Sequence, residues 1–182
     1  MRELSLHILD LARNSIEAGA TELTIEIAEQ PAEDQLRVVV RDNGRGMDEE
    51  TLRRATDAFY TSRTTRRQGL GLPLFQAMCE RSEGAMEIES APGQGTTVRA
   101  RVRLSHLDRP PLGDMGGVMQ ALTCEADRVH LLYRHEVAGA SFELDSAELQ
   151  RELGEVKATD PAVLHWIGQY VRAGLRELGS VA

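Results

Sequence analysis

The 182-residue chain predicts an α/β sandwich followed by a small C-terminal α+β unit. Three observations lead there: an amphipathic helix opens the chain, apolar runs of strand length follow in pairs, and helical periodicity returns between the pairs. Residues 3–18 carry Leu4, Ile8, Leu11, Ala12 and Ile16 on one apolar arc, with His7, Asp10, Asn14 and Glu17 on a separate polar stripe. Gly19 suits the stop of that helix. Residues 23–28 and 36–40 read as strands around a polar turn with Pro31, and residues 48–57 as a short charged helix. Residues 61–68 form a polar loop. Helix resumes over 71–82, where Pro73 falls in the first turn and its missing N–H does little harm. Residues 86–90 and 96–104 form a hairpin around 91–95.

Charge and two prolines interrupt the pattern near 105–111, which divides the chain into residues 1–105 and 106–182. The second part reads as a helix around 112–122, strands near 129–135 and 141–144, and a helix over 147–153. A last helix is capped by Asp160, has Pro161 first, and carries Val163, Leu164, Ile167, Tyr170, Val171 and Leu175 at helical spacing.

Apolar residues make up 41% of the chain, enough for a packed core. The net charge is −8 and both parts are acidic, so no basic face is available for a phosphate backbone and nucleic acid is excluded as a partner. Cys79 and Cys124 show no metal-ligand spacing and are expected as reduced, buried thiols. No apolar run reaches membrane-spanning length, and the chain opens into a helical pattern rather than a signal peptide; a soluble, cytoplasmic protein without a membrane partner is expected.

Three segments carry chemistry. Asp10 and Asn14 stand one helical turn apart, and a carboxylate beside an amide oxygen suits a hard cation such as Mg²⁺. Taken alone, their stripe reads as a solvated face. In the run 38–47, an apolar strand delivers Asp42 at its end, followed by Gly44 and Gly46, which permit tight turning and close backbone approach to a ligand. A carboxylate there can accept from an exocyclic amine such as N6 of adenine, although Asp-Asn-Gly is also ordinary turn chemistry. Gln68-Gly69-Leu70-Gly71-Leu72 precedes a helix, where exposed N–H groups and the helix field favour phosphate. Before it lies a cationic, hydroxyl-rich stretch with Arg63, Arg66 and Arg67. The GxxxxGK[ST] loop is absent, because the one lysine is Lys157, and GxGxxG fails at Glu49 and at Leu74.

Together these segments resemble the GHKL superfamily of histidine-kinase catalytic domains, mismatch-repair ATPases and Hsp90-like chaperones. Residues 10–14 resemble its N box, 42–46 its DxGxG box, Phe59-Tyr60 its short aromatic box, 69–72 its GxGL box and 93–96 its GxGT element, in family order over about residues 4–104. The resemblance implies a mixed β-sheet with helices on one face, and ATP with Mg²⁺ as cofactors. By it, Asn14 with Asp10 holds the metal, Asp10 is the catalytic carboxylate and Asp42 binds adenine. Gly44, Gly46, Met47, Phe59, Thr61, Arg63, Gly69, Leu70, Gly71 and Leu72 shape the pocket and lid, and Thr97 or Thr96 supports the adenine end. One departure stands out: Asp10 occupies the place where the family usually has glutamate, so the carboxylate is one methylene shorter. The implied function is a regulatory ATP-binding protein acting on a protein partner as kinase or slow ATPase, or else a non-catalytic nucleotide-gated module. The chain is similar to stand-alone ATP-binding proteins of anaerobic bacteria, some of which accompany hydrogenase systems. That likeness suggests a hydrogenase-system protein or a transcription regulator as partner, and a homodimer as the assembly. A complete sensor kinase is not expected, since no helix bearing a phosphoacceptor histidine precedes the domain.

Overall fold

A single six-stranded sheet in the order β3-β4-β2-β1-β5-β6 organises the molecule. The computed structural model describes residues 3–56, 71–125 and 129–180. Its strands are β1 (Glu22–Gln30), β2 (Gln35–Asp42), β3 (Ala85–Ala91), β4 (Gly95–Arg103), β5 (His130–Val137) and β6 (Ala140–Asp145). The helices are α1 (Leu4–Glu17), α2 (Glu49–Thr56), α3 (Gly71–Arg81), α4 (Met115–Glu125), α5 (Ser146–Leu153) and α6 (Pro161–Glu177). Every neighbouring strand pair is antiparallel except β1 and β5. The sheet is therefore mixed, as expected.

Alternation decides which face is covered. Leu23, Ile25 and Ile27 of β1, Leu36, Val38 and Val40 of β2, and Val98, Ala100 and Val102 of β4 are buried, while the residues between them are partly or fully exposed. The buried set forms one core with Leu4, Ile8, Leu11 and Ala12 of α1, Phe75, Met78 and Cys79 of α3, and Met115, Met119 and Leu122 of α4. Helices thus cover one face and the other is left open.

The start of α1 has no side-chain cap. Instead, Leu4 N–H donates to the Pro111 carbonyl (2.9 Å) and Ser5 N–H to the Leu112 carbonyl (2.7 Å). Two donors that a helix cannot satisfy internally thereby find acceptors about a hundred residues away. This use of 111–112 also explains why α4 begins at Met115, three residues later than the pattern suggested. At the other end, Gly19 adopts φ +78° and its N–H returns to the Ile16 carbonyl, the helix stop the sequence implied.

Residues 106–182 do not stand apart from the first part. β5 pairs with β1 along its length, and α4 and α6 add Met115, Met119, Ile167 and Val171 to the same core. Arg13 of α1 forks onto Glu125 of α4, and Arg172 of α6 onto Asp114 (3.0 and 2.7 Å). Below β1 and β5, Glu29, His135 and Tyr133 are fully buried and linked: His135 Nε2 lies 2.8 Å from Glu29 Oε1, and Tyr133 Oη 2.9 Å from His135 Nδ1. Ser180 Oγ donates to Glu29 Oε1. A buried carboxylate needs such partners, because an unpaired one would carry a large desolvation cost.

Three side chains differ from expectation. Cys79 is buried, and burial pushes its thiol up to about 12, but Cys124 is exposed near the end of α4. Tyr170 sits at core spacing yet is 40% exposed, stacked on Trp166 at 4.8 Å. His7, from the polar stripe, is buried against the Phe75 ring at 5.4 Å, and its Nδ1 has no hydrogen-bond partner among the described residues.

Burial, with the positive charge of Arg81 adding to it, takes the His7 imidazole down to about 4. Between pH 6.5 and 4 the unfolded chain binds a proton at this position that the folded chain refuses. Stability should therefore rise with pH across that window and fall as pH drops through it. Urea unfolding at pH 7.5, 6 and 5 should show this slope, and His7→Phe should reduce it; an unchanged slope in the variant would assign it to other groups.

Candidate functional site

Where α1, β2, β4 and the start of α3 converge on the covered side of the sheet, a cavity of about 290 Å³ opens. Asp42 ends β2 on the buried side of the sheet, because the strand alternates inward at 36, 38, 40 and 42. Its carboxylate is 8% exposed and held from three elements. Oδ1 accepts from Gly44 N–H at 2.8 Å and from Thr96 N–H of β4 at 3.2 Å. Oδ2 accepts from the Ser15 hydroxyl of α1 at 2.7 Å.

The turn after Asp42 is clamped on both sides. Asn43 faces away from the cavity, its Oδ1 accepting from the N–H groups of Thr21 and Glu22 (2.8 and 2.9 Å). Arg45 N–H donates to the Ala18 carbonyl at the end of α1, and Gly93 N–H of the β3–β4 turn to the Arg45 carbonyl. Met47 N–H donates to Ser90 Oγ at 2.9 Å. Gly46 has φ +65°, and a Cβ there would lie 1.9 Å from the Ala91 carbonyl oxygen. A side chain would thus force the two turns apart.

Of the residues singled out from the sequence, Asn14, Asp42, Gly46, Met47, Gly71 and Leu72 line this one cavity. Gly44 packs beneath it against Ala18. Asp10 flanks it, for a Cβ at Gly71 would stand 3.7 Å from Asp10 Cβ and 3.8 Å from Asn14 Nδ2. The polar stripe of α1 therefore borders the cavity: Asn14 and Glu17 line it while remaining exposed, and His7 alone is buried. Thr97 is a correction. It pairs with Arg41 and Glu89 on the open side of the sheet, whereas Thr96, opposite Asp42, lines the cavity. Phe59, Thr61, Arg63, Gly69 and Leu70 lie outside the described residues.

Ser15, Leu11, Ala18, Val40, Arg45, Thr51, Ala55 and Val98 complete the lining and were not singled out. Leu11, Ser15 and Ala18 share one helix line at i, i+4 and i+7, a signal present in the sequence. Thr51 and Ala55 share another on α2.

A model of histidine kinase-, DNA gyrase B- and HSP90-like ATPases matches residues 2–106, more than half of the chain. The chain belongs to this family. The cavity lies within the matched residues, so they form an ATP-binding, histidine-kinase-like domain. Among curated proteins, the chain is 33% identical over 111 residues to a non-motile and phage-resistance protein of Caulobacter vibrioides, covering 56% of this chain and 13% of that protein. It is 39% identical over 89 residues to the sensor protein kinase FleS of Pseudomonas aeruginosa, covering 49% and 22%. The match thus spans less than a quarter of either relative. A crystal structure of the N-terminal domain of a DNA repair protein shares the fold, with TM-score 0.56 and 15% identity over 80% of this chain and 53% of that one. That coverage carries the likeness of fold past residue 106. Among the described residues, no helix is long and apolar enough to cross a membrane.

The donor set near Asn14 can be weighed against the metal of this ATPase family. The Asp10 carboxylate and the Asn14 side-chain amide lie on the same side of Gly71, and a carboxylate and an amide oxygen are hard ligands of the kind Mg²⁺ accepts while keeping waters. No cluster of three or more His, Cys, Asp or Glu side chains suited to a metal occurs among the described residues. Two protein oxygens fit an ion completed by phosphate and water, and do not fit a dedicated protein cage.

Substituting Gly46 by alanine should test the clamp. Positive φ and the contact with Ala91 together should cost about 2 kcal/mol or more, and nucleotide binding should be lost with the turn. Gly93→Ala is the control: φ is +73° there but nothing lies within 4 Å, so only a backbone cost of about 1 kcal/mol is expected. Thermal melts and ATP titration of both variants measure the difference.

Proposed function

We propose that this protein is a regulatory, cytoplasmic ATP-binding protein that takes up Mg-ATP and acts on a protein partner as a kinase or a slow ATPase. The observation that carries the reading is the buried Asp42 carboxylate. Among the described residues, Gly44 and Thr96 occupy Oδ1 and Ser15 half of Oδ2, so an acceptor position remains for a ligand in the cavity. Adenine offers a donor at its six-position, and guanine offers an acceptor that would face the carboxylate. Asn14, Asp10 and the N-terminus of α3, which lie together beside Gly71, suit the phosphates and their metal. Asn14, with Asp10, would hold Mg²⁺, whose contribution is to neutralise phosphate charge. The sensor protein kinase among the relatives supports phosphoryl transfer as the chemistry class.

Discrimination between bases tests the adenine assignment. An unpaired buried polar contact costs about 1–3 kcal/mol, so calorimetry should give ATP an affinity about tenfold or more above that of GTP. Equal affinities would remove Asp42 from its role.

Asp10 favours slowness. Retracting a base by one methylene moves it by about 1.5 Å, and a misplacement of about 1 Å can cost on the order of 10²-fold in rate. Single-turnover assays should show slow hydrolysis by wild type and faster hydrolysis by Asp10→Glu at unchanged Mg-ATP affinity. Asn14→Ala should weaken Mg-ATP binding itself. A rate that falls as far with glutamate as with alanine would show that aspartate is the fitted residue.

A further inference from the structure

Ser15 sits on α1 with 5% exposure and one hydroxyl proton, and two acceptors compete for that proton. The Leu11 carbonyl is 3.3 Å away, the usual back-bond of a serine within a helix. Asp42 Oδ2 is 2.7 Å away and belongs to a carboxylate. A bond to an ionised acceptor is shorter and roughly twice as strong as a neutral one, so the proton goes to Asp42. Serine's ordinary helical role is thereby given up for a contact 27 residues away in sequence.

The consequence lies in the lone pairs. A carboxylate has about four acceptor sites, two on each oxygen. Gly44 and Thr96 fill both on Oδ1 through backbone N–H groups that no side-chain substitution removes. Ser15 fills one on Oδ2. Among the described residues a single site is left, on the oxygen that Ser15 holds, and both residues line the cavity. From this we infer that Ser15 is a specificity-determining positioning residue: its hydroxyl orders Asp42 Oδ2 so that one lone pair meets the exocyclic amine of adenine. Because the hydroxyl proton is committed to Asp42, Ser15 also presents no donor to the base. The Ser15–Asp42 pair thus offers the purine an acceptor, which favours an amino group and opposes a carbonyl at the six-position. This inference rests on the adenine assignment for Asp42 made above.

The test compares Mg-ATP with the Mg salt of purine riboside triphosphate, which has hydrogen in place of the amino group. Calorimetric titration of the full chain should give wild type about a tenfold preference for ATP, the worth of one buried hydrogen bond. Ser15→Ala should cut the preference to about twofold, with the loss carried by ATP while the affinity for the analogue stays within twofold. Ser15→Cys fills the same space with a weak donor and should behave like alanine, so a poorly folding alanine variant leaves the inference testable. Thermal melts identify that case. A preference that stays near tenfold in both variants would overturn the inference and leave Ser15 a packing residue bonded to Leu11. Equal weakening of both nucleotides would overturn it as well, since cavity shape rather than the amine would then be at work. A wild type that binds the two nucleotides equally would overturn the adenine assignment itself, an outcome distinct from the others because it needs no variant.

Discussion

A carboxylate taken out of water at the end of a strand must find donors, and Asp42 finds them on three different elements. The hydroxyl comes from α1, one N–H from the turn that follows, and one from β4. Satisfying this one group therefore sets the approach of the helix to the sheet and the register of β4 against β2. The glycines obey the same demand. Gly95 can adopt φ +78° against the Asp42 carbonyl, where a Cβ would lie at 2.0 Å, and Gly46 can cross the β3–β4 turn. Among the described residues, the bonds that hold the fold together at this point leave one acceptor of Asp42 open.

The helix bearing Asn14 and Asp10 is supported from elsewhere. Pro111 and Leu112 cap its start, Arg13 ties it to α4, and α4 is tied in turn through Asp114 to α6. Exposed ion pairs of this kind contribute little singly, and most of the support comes from Met115, Met119 and Leu122 packed in the common core. Residues 107–182 thus brace the cavity while lying outside the segment matched by the family. The buried Glu29–His135–Tyr133 chain fixes β5 beside β1, the one parallel pairing in the sheet. β4 and β5 run in the same direction on opposite sides of β2 and β1, so the chain between them must cross over, and that connection carries α4.

Much of this was legible in the sequence wherever the governing demand is local. The α1 stripe with its Gly19 stop, the strand ending in Asp42 and the glycines after it express helix period, strand period and positive φ, each set within a few residues. Motif order then raised these separate hints to a family, because several weak patterns at fitting spacing rarely coincide. The exposure of Cys124 and the burial of His7 were not legible. Each depends on which neighbour covers a helix face, and that neighbour is far away in the chain.

The sequence by itself determined the elements, the carboxylate, the turn that follows it and the family, since these follow from the conformational preferences of adjacent residues. Only the tertiary structure decided that Thr96 rather than Thr97 meets the cavity, because a one-residue step along a strand exchanges faces and the choice belongs to the pairing with Asp42. It also decided that Ser15 gives its proton to Asp42 instead of Leu11, and that β5 joins β1 so that the expected second unit shares one sheet and one core. The reason is common to all three: a hydrogen bond or strand pairing between distant residues is chosen by energy in three dimensions, and sequence separation carries no record of it.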